Sequence, residues 1–319
     1  MPDNPIQRAE RGYQVPNSPA QPAECEGFGG RLSAAVRVRG PLCVGIDAHP
    51  SVLSGWGLPD DVGGLETFAW GVVEAVAGEV AMLKPQSAFF ERFGARGIAV
   101  LERVLVAARD AGALVLLDVK RGDIGSTMAA YAEAYLSDWA PLAADAITVS
   151  PYLGVGALEP AFELAARTGR GVFVVAASSN PEGANVQAAR TSVGSTVAQS
   201  VIDAVAARNA GRRPVGDVGV VVGATTPAGV LRLEALNGPI LAPGIGAQGA
   251  RLADLPQVFG AAARHVVAST SRELLRCGPH PAALRTAARR AADEAAALLL
   301  PLSRQVHPRS GQVEGGTPG

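Results

Sequence analysis

The chain has 319 residues, enough for one large domain or two small ones, and its 28 basic and 29 acidic side chains leave a formal net charge of −1. A near-neutral balance without a basic block argues against nucleic acid as a partner. Three scattered cysteines (Cys25, Cys43, Cys277) make neither a disulfide framework nor a zinc knuckle and fit a reducing compartment, and the four histidines (His49, His265, His280, His307) show no metal-ligand spacing.

Residues 1–27 are rich in Pro, Gln, Asn and Ala without periodicity and read as a flexible N-terminal arm. Asp3, Arg8, Glu10 and Arg11 interrupt any apolar run of the kind a secretory signal needs. Residues 304–319 are rich in Gly, Ser and Pro and read as a flexible C-terminal tail, which leaves 28–303 as a single folded domain. The longest apolar helix, near Ala291 to Leu302, carries Asp293 and Glu294 and is too short to span a bilayer. A soluble, cytoplasmic protein without a membrane partner is expected.

Within the domain, eight apolar runs recur: Pro41–Asp47, Val80–Lys84, Leu114–Lys120, Ala146–Ser150, Gly171–Ser178, Val218–Thr225, Pro239–Pro243 and His265–Ser269. Helical patterns lie between them, at Ala99–Ala111, Gly156–Arg167, Thr196–Ala207 and Pro227–Leu236. Another spans Thr127 to Trp139, with Met128, Tyr131, Ala132, Tyr135, Leu136 and Trp139 on one face. Strands alternating with helices predict a parallel sheet, and near-continuous apolar strands predict burial on both faces. Eight such repeats in about 260 residues match a (β/α)8 TIM barrel, which takes ~250. A doubly wound open sheet is the alternative. Its usual Gly-rich fingerprint is missing, since the first strand ends Gly45-Ile-Asp47-Ala-His49-Pro50.

The third run, Leu114-Val-Leu-Leu-Asp118-Val-Lys120-Arg-Gly-Asp123, passes from apolar to charged. Alternation along a strand aims Asp118 and Lys120 the same way as Leu114 and Leu116, while Asp123 falls in the turn beyond. A buried structural ion pair is the simple explanation. Such charges are costly, however, and they are not alone. In a barrel the C-terminal strand ends form the active face. Here those ends carry Asp47, Lys84, Asp118 with Lys120, Ser178-Ser179-Asn180, Gly244-Ile-Gly246-Ala-Gln248-Gly249 and Ser269-Thr-Ser271-Arg272. The last two suit a phosphate: glycines let backbone N–H groups approach an anion, and Arg272 adds a bidentate donor. Alternating charges keep each other ionised, so Lys120 stays protonated and able to deliver a proton. Lys84 and Lys120 would also repel a divalent cation, so no metal is expected.

Asp118-x-Lys120-x-x-Asp123-Ile124 followed by Thr127 resembles the signature of the orotidine 5′-phosphate decarboxylases. Leu83-Lys84-Pro-Gln-Ser-Ala-Phe-Phe-Glu91, Ser150-Pro-Tyr-Leu-Gly154 and Ser179-Asn-Pro181 resemble their longer bacterial subgroup. The likeness covers roughly Pro41 to Ser303. It implies a homodimeric barrel that converts orotidine 5′-phosphate to UMP with no metal and no cofactor. It further implies that Asp47 and Lys84 bind ribose hydroxyls, that Asp118 faces the departing carboxylate, and that Lys120 protonates the C6 carbanion. Asp123 and Thr127 would reach the neighbouring subunit's site. Ser179, rather than the adjacent Ser178, would read the pyrimidine edge. Gln248 and Arg272, with backbone at Gly246 and Ser271, would hold phosphate. Asn180–Thr191, after the fifth strand, is a candidate lid. Two alternatives remain: a metal-dependent sugar-phosphate decarboxylase or aldolase sharing the Asp-x-Lys-x-x-Asp strand, and a non-catalytic barrel that binds a phosphate ligand. Lys84 stands where the metal-dependent relatives carry an acidic ligand.

Overall fold

The structure, a computed structural model, describes residues 27–246 and 248–300. Apart from Gly27, the expected arm lies outside these residues, as do the expected tail and the end of the predicted Ala291–Leu302 helix. Eight parallel strands close into a barrel in chain order: β1 Leu42–Ile46, β2 Met82–Pro85, β3 Leu114–Arg121, β4 Ala146–Val149, β5 Gly171–Ala177, β6 Val218–Val222, β7 Ile240–Ala242 and β8 Val266–Thr270. β8 pairs back onto β1 through Leu42 to Ala268 and Cys43 to Ser269. All eight predicted runs are strands, and the barrel stands over the open sheet.

One side chain from each strand builds the interior. Cys43, Met82, Leu116, Ala146, Phe173, Val221, Leu241 and Val267 form an apolar layer inside the barrel. Beneath it lies the helix Phe28–Arg39, which the sequence reading had not identified. Its Phe28 and Leu32 join the same cluster, and the Phe28 ring meets Phe173 edge-on with centroids 5.8 Å apart. The Gly29 N–H donates to the Asp217 carboxylate at 2.8 Å, tying this helix to the loop before β6. The end of the barrel opposite the strands' C-termini is therefore stopped.

The outer helices pack their apolar stripes against the strands. Gly94–Asp110 buries Val100, Leu101, Val104, Leu105 and Ala108. Val197–Asn209 is capped by Thr196, whose hydroxyl accepts from the Gln199 N–H. Val62–Val76, also missing from the sequence reading, is capped by Asp61 through the Gly64 N–H. The predicted 156–167 helix begins as a 3-10 turn at Val155–Leu158 and becomes α-helical over Glu159–Thr168.

Two helical predictions need correction. Pro227–Leu236 forms turns instead of a helix. Gln199, buried in the neighbouring helix, holds this segment with two bonds to the Arg232 backbone, accepting its N–H at 2.8 Å and donating to its carbonyl at 3.1 Å. Gly229, at φ +77°, also breaks the helical backbone. The helix placed at Thr127–Trp139 runs from Gly125 to Leu136, and Trp139 lies past its end, 75 % exposed, instead of on the buried face.

Candidate active site

The apolar layer sets the floor of the site. Two residues further along each strand, alternation brings Gly45, Lys84, Asp118, Thr148, Val175, Gly223, Pro243 and Ser269 to the barrel axis. A cavity of about 400 Å³ opens above them, lined by Asp47, Lys84, Asp118, Lys120, Thr148, Gln248, Ser271 and Arg272 among others. A second cavity of about 370 Å³, at the opposite end, is mainly apolar and holds none of the predicted site residues.

Asp118 is buried at the centre of a charged network. Its Oδ2 accepts from Lys84 Nζ at 3.1 Å and its Oδ1 from Lys120 Nζ at 2.6 Å. The Thr148 hydroxyl donates to the same Oδ1 at 2.7 Å. Lys84 Nζ also lies 3.6 Å from Asp47 Oδ1 and donates to Gln86 Oε1 at 3.2 Å. Burial opposes the charge on Asp118, but the two ammonium groups and the Thr148 hydroxyl outweigh it and hold the carboxyl well below the usual carboxylate range. Burial likewise opposes the charge on Lys84, and Asp47 and Asp118 more than offset it, so its ammonium is held above the ordinary lysine value. Below them, burial pushes the Cys43 thiol up to about 12.

Lys120 comes to Asp118 by a route that alternation did not predict. The β3–β4 register pairs Leu117 with Ile147 and then Arg121 with Val149, so two extra residues bulge from β3. Lys120 sits in that bulge with φ +43°, a left-handed backbone that costs a non-glycine residue roughly 1–3 kcal/mol. The turn aims its side chain at the cavity, where it is about half exposed.

On the far side of the mouth, Ser271 and Arg272 follow β8, and Arg272 opens the short helix Arg272–Leu275. The Ser271 hydroxyl is buried without a hydrogen-bond partner among the described residues, as is Asp47 Oδ1. The Ser271 hydroxyl can thus donate to or accept from a ligand, and Asp47 Oδ1, which faces the Lys84 ammonium, can accept from one. Gly45 makes their approach possible, since a Cβ there would come within 2.8 Å of Ser271 Cβ. In the β7 loop, Gly246 adopts φ +72°. Ser179, at the β5 end, donates to Gln248 Oε1 across the opening, linking two predicted ligand contacts. Ser178 is engaged within its own loop, with Gln187 and Asn180. The Asn180–Thr191 segment carries the 3-10 turn Pro181–Gly183 and the short helix Ala184–Gln187.

Asp123 and Thr127 do not line this cavity. Asp123 Oδ1 accepts from the Ile124 N–H at 2.8 Å, and Thr127 is exposed on the first turn of the next helix. Ile124, next to Asp123, and Tyr152 and Leu153, just past the end of β4, which pairs with β3, are 62 %, 80 % and 52 % exposed.

The sequence reading missed Thr148, Gln86 and His49 as site residues. Thr148 and Gln86 had a usable signal: Thr148 is the polar residue of an otherwise apolar run, and Gln86 stands two residues past Lys84, just beyond the end of β2. His49 lines the cavity with its ring edge-on to Phe89, centroids 4.3 Å apart, a contact between the segments that follow β1 and β2. Burial lowers its basicity, opposed by Asp47. Among the described residues, no cluster of three or more His, Cys, Asp or Glu has metal-binding geometry.

Residues 40–287 match the Orotidine 5′-phosphate decarboxylase / HUMPS family. The chain is 62 % identical over 274 residues to orotidine 5′-phosphate decarboxylase of Salinispora tropica, spanning 86 % of this chain and 99 % of that protein. It is 60 % identical over 269 residues to the enzyme of the same name from Streptomyces coelicolor, spanning 84 % and 97 %. Among solved structures, Leishmania donovani OMP decarboxylase superposes with a TM-score of 0.68 at 32 % identity, covering 86 % of this chain and 99 % of that one. A Streptomyces avermitilis chain assigned to the same activity gives 0.84 at 60 % identity, covering 86 % and 96 %.

Proposed function

As the chain belongs to the Orotidine 5′-phosphate decarboxylase / HUMPS family, we propose that its barrel mouth converts orotidine 5′-phosphate to UMP and CO₂ with no metal or cofactor, using Lys120 as the proton donor. The activity is the closing step of de novo pyrimidine nucleotide synthesis. The observation that carries the mechanism is Asp118 held between two ammonium groups on an apolar floor, within a cavity that Arg272 also lines.

The C6–carboxylate bond breaks, its electron pair stays on C6, and CO₂ departs. The pyrimidine offers no electron sink, so stabilisation must come from outside the ring. An ammonium fixed in advance beside the carbon stabilises charge where it develops. Lys120 occupies that place, gives its proton to C6 and regains one from water. Lys84 holds Asp118 ionised and, with Asp47, takes the ribose hydroxyls. Phosphate is bound by Arg272 and Gln248, with backbone N–H groups at Gly246 and Ser271. Binding energy from this remote group then serves to orient the base. Ser179 reads the pyrimidine edge, and Asn180–Thr191 closes over it. The metal-independent reading is supported by charge: Lys84 and Lys120 face the space a divalent cation would need.

The reading extends to a homodimer in which Asp123 and Thr127 complete the neighbouring site. Their position outside their own cavity supports it, as do the exposed apolar Ile124, Tyr152 and Leu153. No helix of the described residues is long and apolar enough to cross a membrane. We place the enzyme in the cytoplasm on its few scattered cysteines.

The test is an assay of chelator-treated protein with orotidine 5′-phosphate, following UMP formation. Full activity is expected after chelation. Lys120→Ala should lower turnover by at least about 10³-fold, since it removes both the charge stabiliser and the acid, while UMP still binds. Activity lost on chelation and restored by a divalent metal would favour the metal-dependent alternative. Undiminished turnover by Lys120→Ala would remove Lys120 from the mechanism.

A further inference from the structure

Thr148 is the one hydroxyl side chain in β4, and it is 1 % exposed. Its single oxygen makes two bonds in opposite senses. As donor it reaches Asp118 Oδ1 at 2.7 Å, and as acceptor it takes the Lys120 backbone N–H at 2.9 Å. Both contacts fall where β3 leaves its regular pairing with β4 and Lys120 turns left-handed. The Lys120 N–H is thus bound by a side chain at a point where the backbone is least favourable. A β-branched residue suits the task, because its χ1 is restricted and the hydroxyl stays aimed.

We infer that Thr148 is a positioning residue for decarboxylation: its hydroxyl clamps the Lys120 backbone in the left-handed turn and fixes the Asp118 carboxylate beneath the Lys120 ammonium. Without the clamp, β3 has no bond at Lys120 N–H holding the bulge, and the backbone is free to relax toward an extended course. The ammonium would then leave the place where charge develops, while the ribose and phosphate contacts stay as they were. The predicted loss is therefore in turnover and not in nucleotide affinity. The effect on turnover rests on the decarboxylase reading above; the state of the Lys120 amide does not.

The experiment compares Thr148→Val, which keeps the shape and removes the hydroxyl, with Thr148→Ser, which keeps the hydroxyl. Thr148→Val should lower kcat by about 10²–10³-fold, the scale of removing one preorganising donor, with the UMP dissociation constant within about twofold of the native chain. Thr148→Ser should recover turnover to within about fivefold of native, because the bond that sets the geometry is restored. Native kcat in Thr148→Val would overturn the inference, and so would Thr148→Ser as slow as Thr148→Val. If Thr148→Val does not fold, amide hydrogen exchange of the native chain decides. Protection of the Lys120 amide comparable to the central β3 amides supports the clamp, and exchange as fast as an exposed loop amide overturns it. A native chain that does not turn over orotidine 5′-phosphate would instead sink the functional reading, leaving the exchange result to stand.

Discussion

A carboxylate removed from water loses several kcal/mol unless it is paired, and Asp118 meets that cost with two ammonium groups and a hydroxyl. The signs of the shifts fix how the fold responds to pH. The carboxyl of Asp118 is depressed, so its stabilising contribution is complete above the ordinary value of about 3.9 and is lost as pH falls through the lower folded value. The ammonium of Lys84 is raised, so its contribution is complete below about 10.4 and is lost only as pH rises past the folded value. Neither group titrates in the neutral range. Cys43 acts first on the alkaline side. Its folded value is pushed up to about 12, while the unfolded thiol ionises near 9. The buried neutral thiol is therefore disfavoured progressively above that pH, with a limiting slope of about 1.4 kcal/mol per pH unit. Melting temperature against pH should decline from about pH 9 in the native chain, and the decline should be shallower in Cys43→Ala. Parallel curves for the two proteins would remove Cys43 from the alkaline response.

At the scale of elements, what was legible follows from how local each signal is. The strands could be read because each is an uninterrupted apolar run buried on both faces. Lys84, Asp118, Ser179 and Arg272 could be placed because they stand at or just past the C-terminal ends of such runs. The turn at Lys120 could not be read, since a two-residue bulge leaves no mark in the apolar pattern. Nor could the loss of helix at Pro227–Leu236, which depends on Gln199 far away in the chain. Phe28–Arg39 escaped for a related reason: it begins FGG and is held by partners on β5 and before β6. Its first side chain is a ring fully buried against Phe173, in space left by Gly171, where a Cβ would come within 2.4 Å of the ring. Phe28→Ala should cost about 3–5 kcal/mol, the range for deleting a buried aromatic. Urea unfolding measures this directly. A loss under about 1 kcal/mol would mean that the helix docks without help from its first residue.

For the whole molecule, the placement of Asp123 and Thr127 outside their own cavity makes a prediction about assembly. If each site borrows these residues from a second copy, then Lys120→Ala and Asp123→Ala chains, inactive apart, should regain activity when mixed and allowed to exchange subunits. One of the two sites in a mixed pair would then be intact, giving up to about a quarter of native activity from a random mixture. No recovery despite exchange shown by differential labelling would place Asp123 in its own chain's site. The layer of one side chain per strand, stoppered by Phe28 and Leu32, has a consequence for traffic. Among the described residues, the active site is a well with one doorway. Orotidine 5′-phosphate descends, and CO₂ and UMP climb back, past the same rim formed by the loops after β1, β2, β7 and β8. Nothing can be threaded through from below, so each new substrate waits for its predecessor's product to clear the threshold, and the rim that admits one molecule also sets the departure of the last.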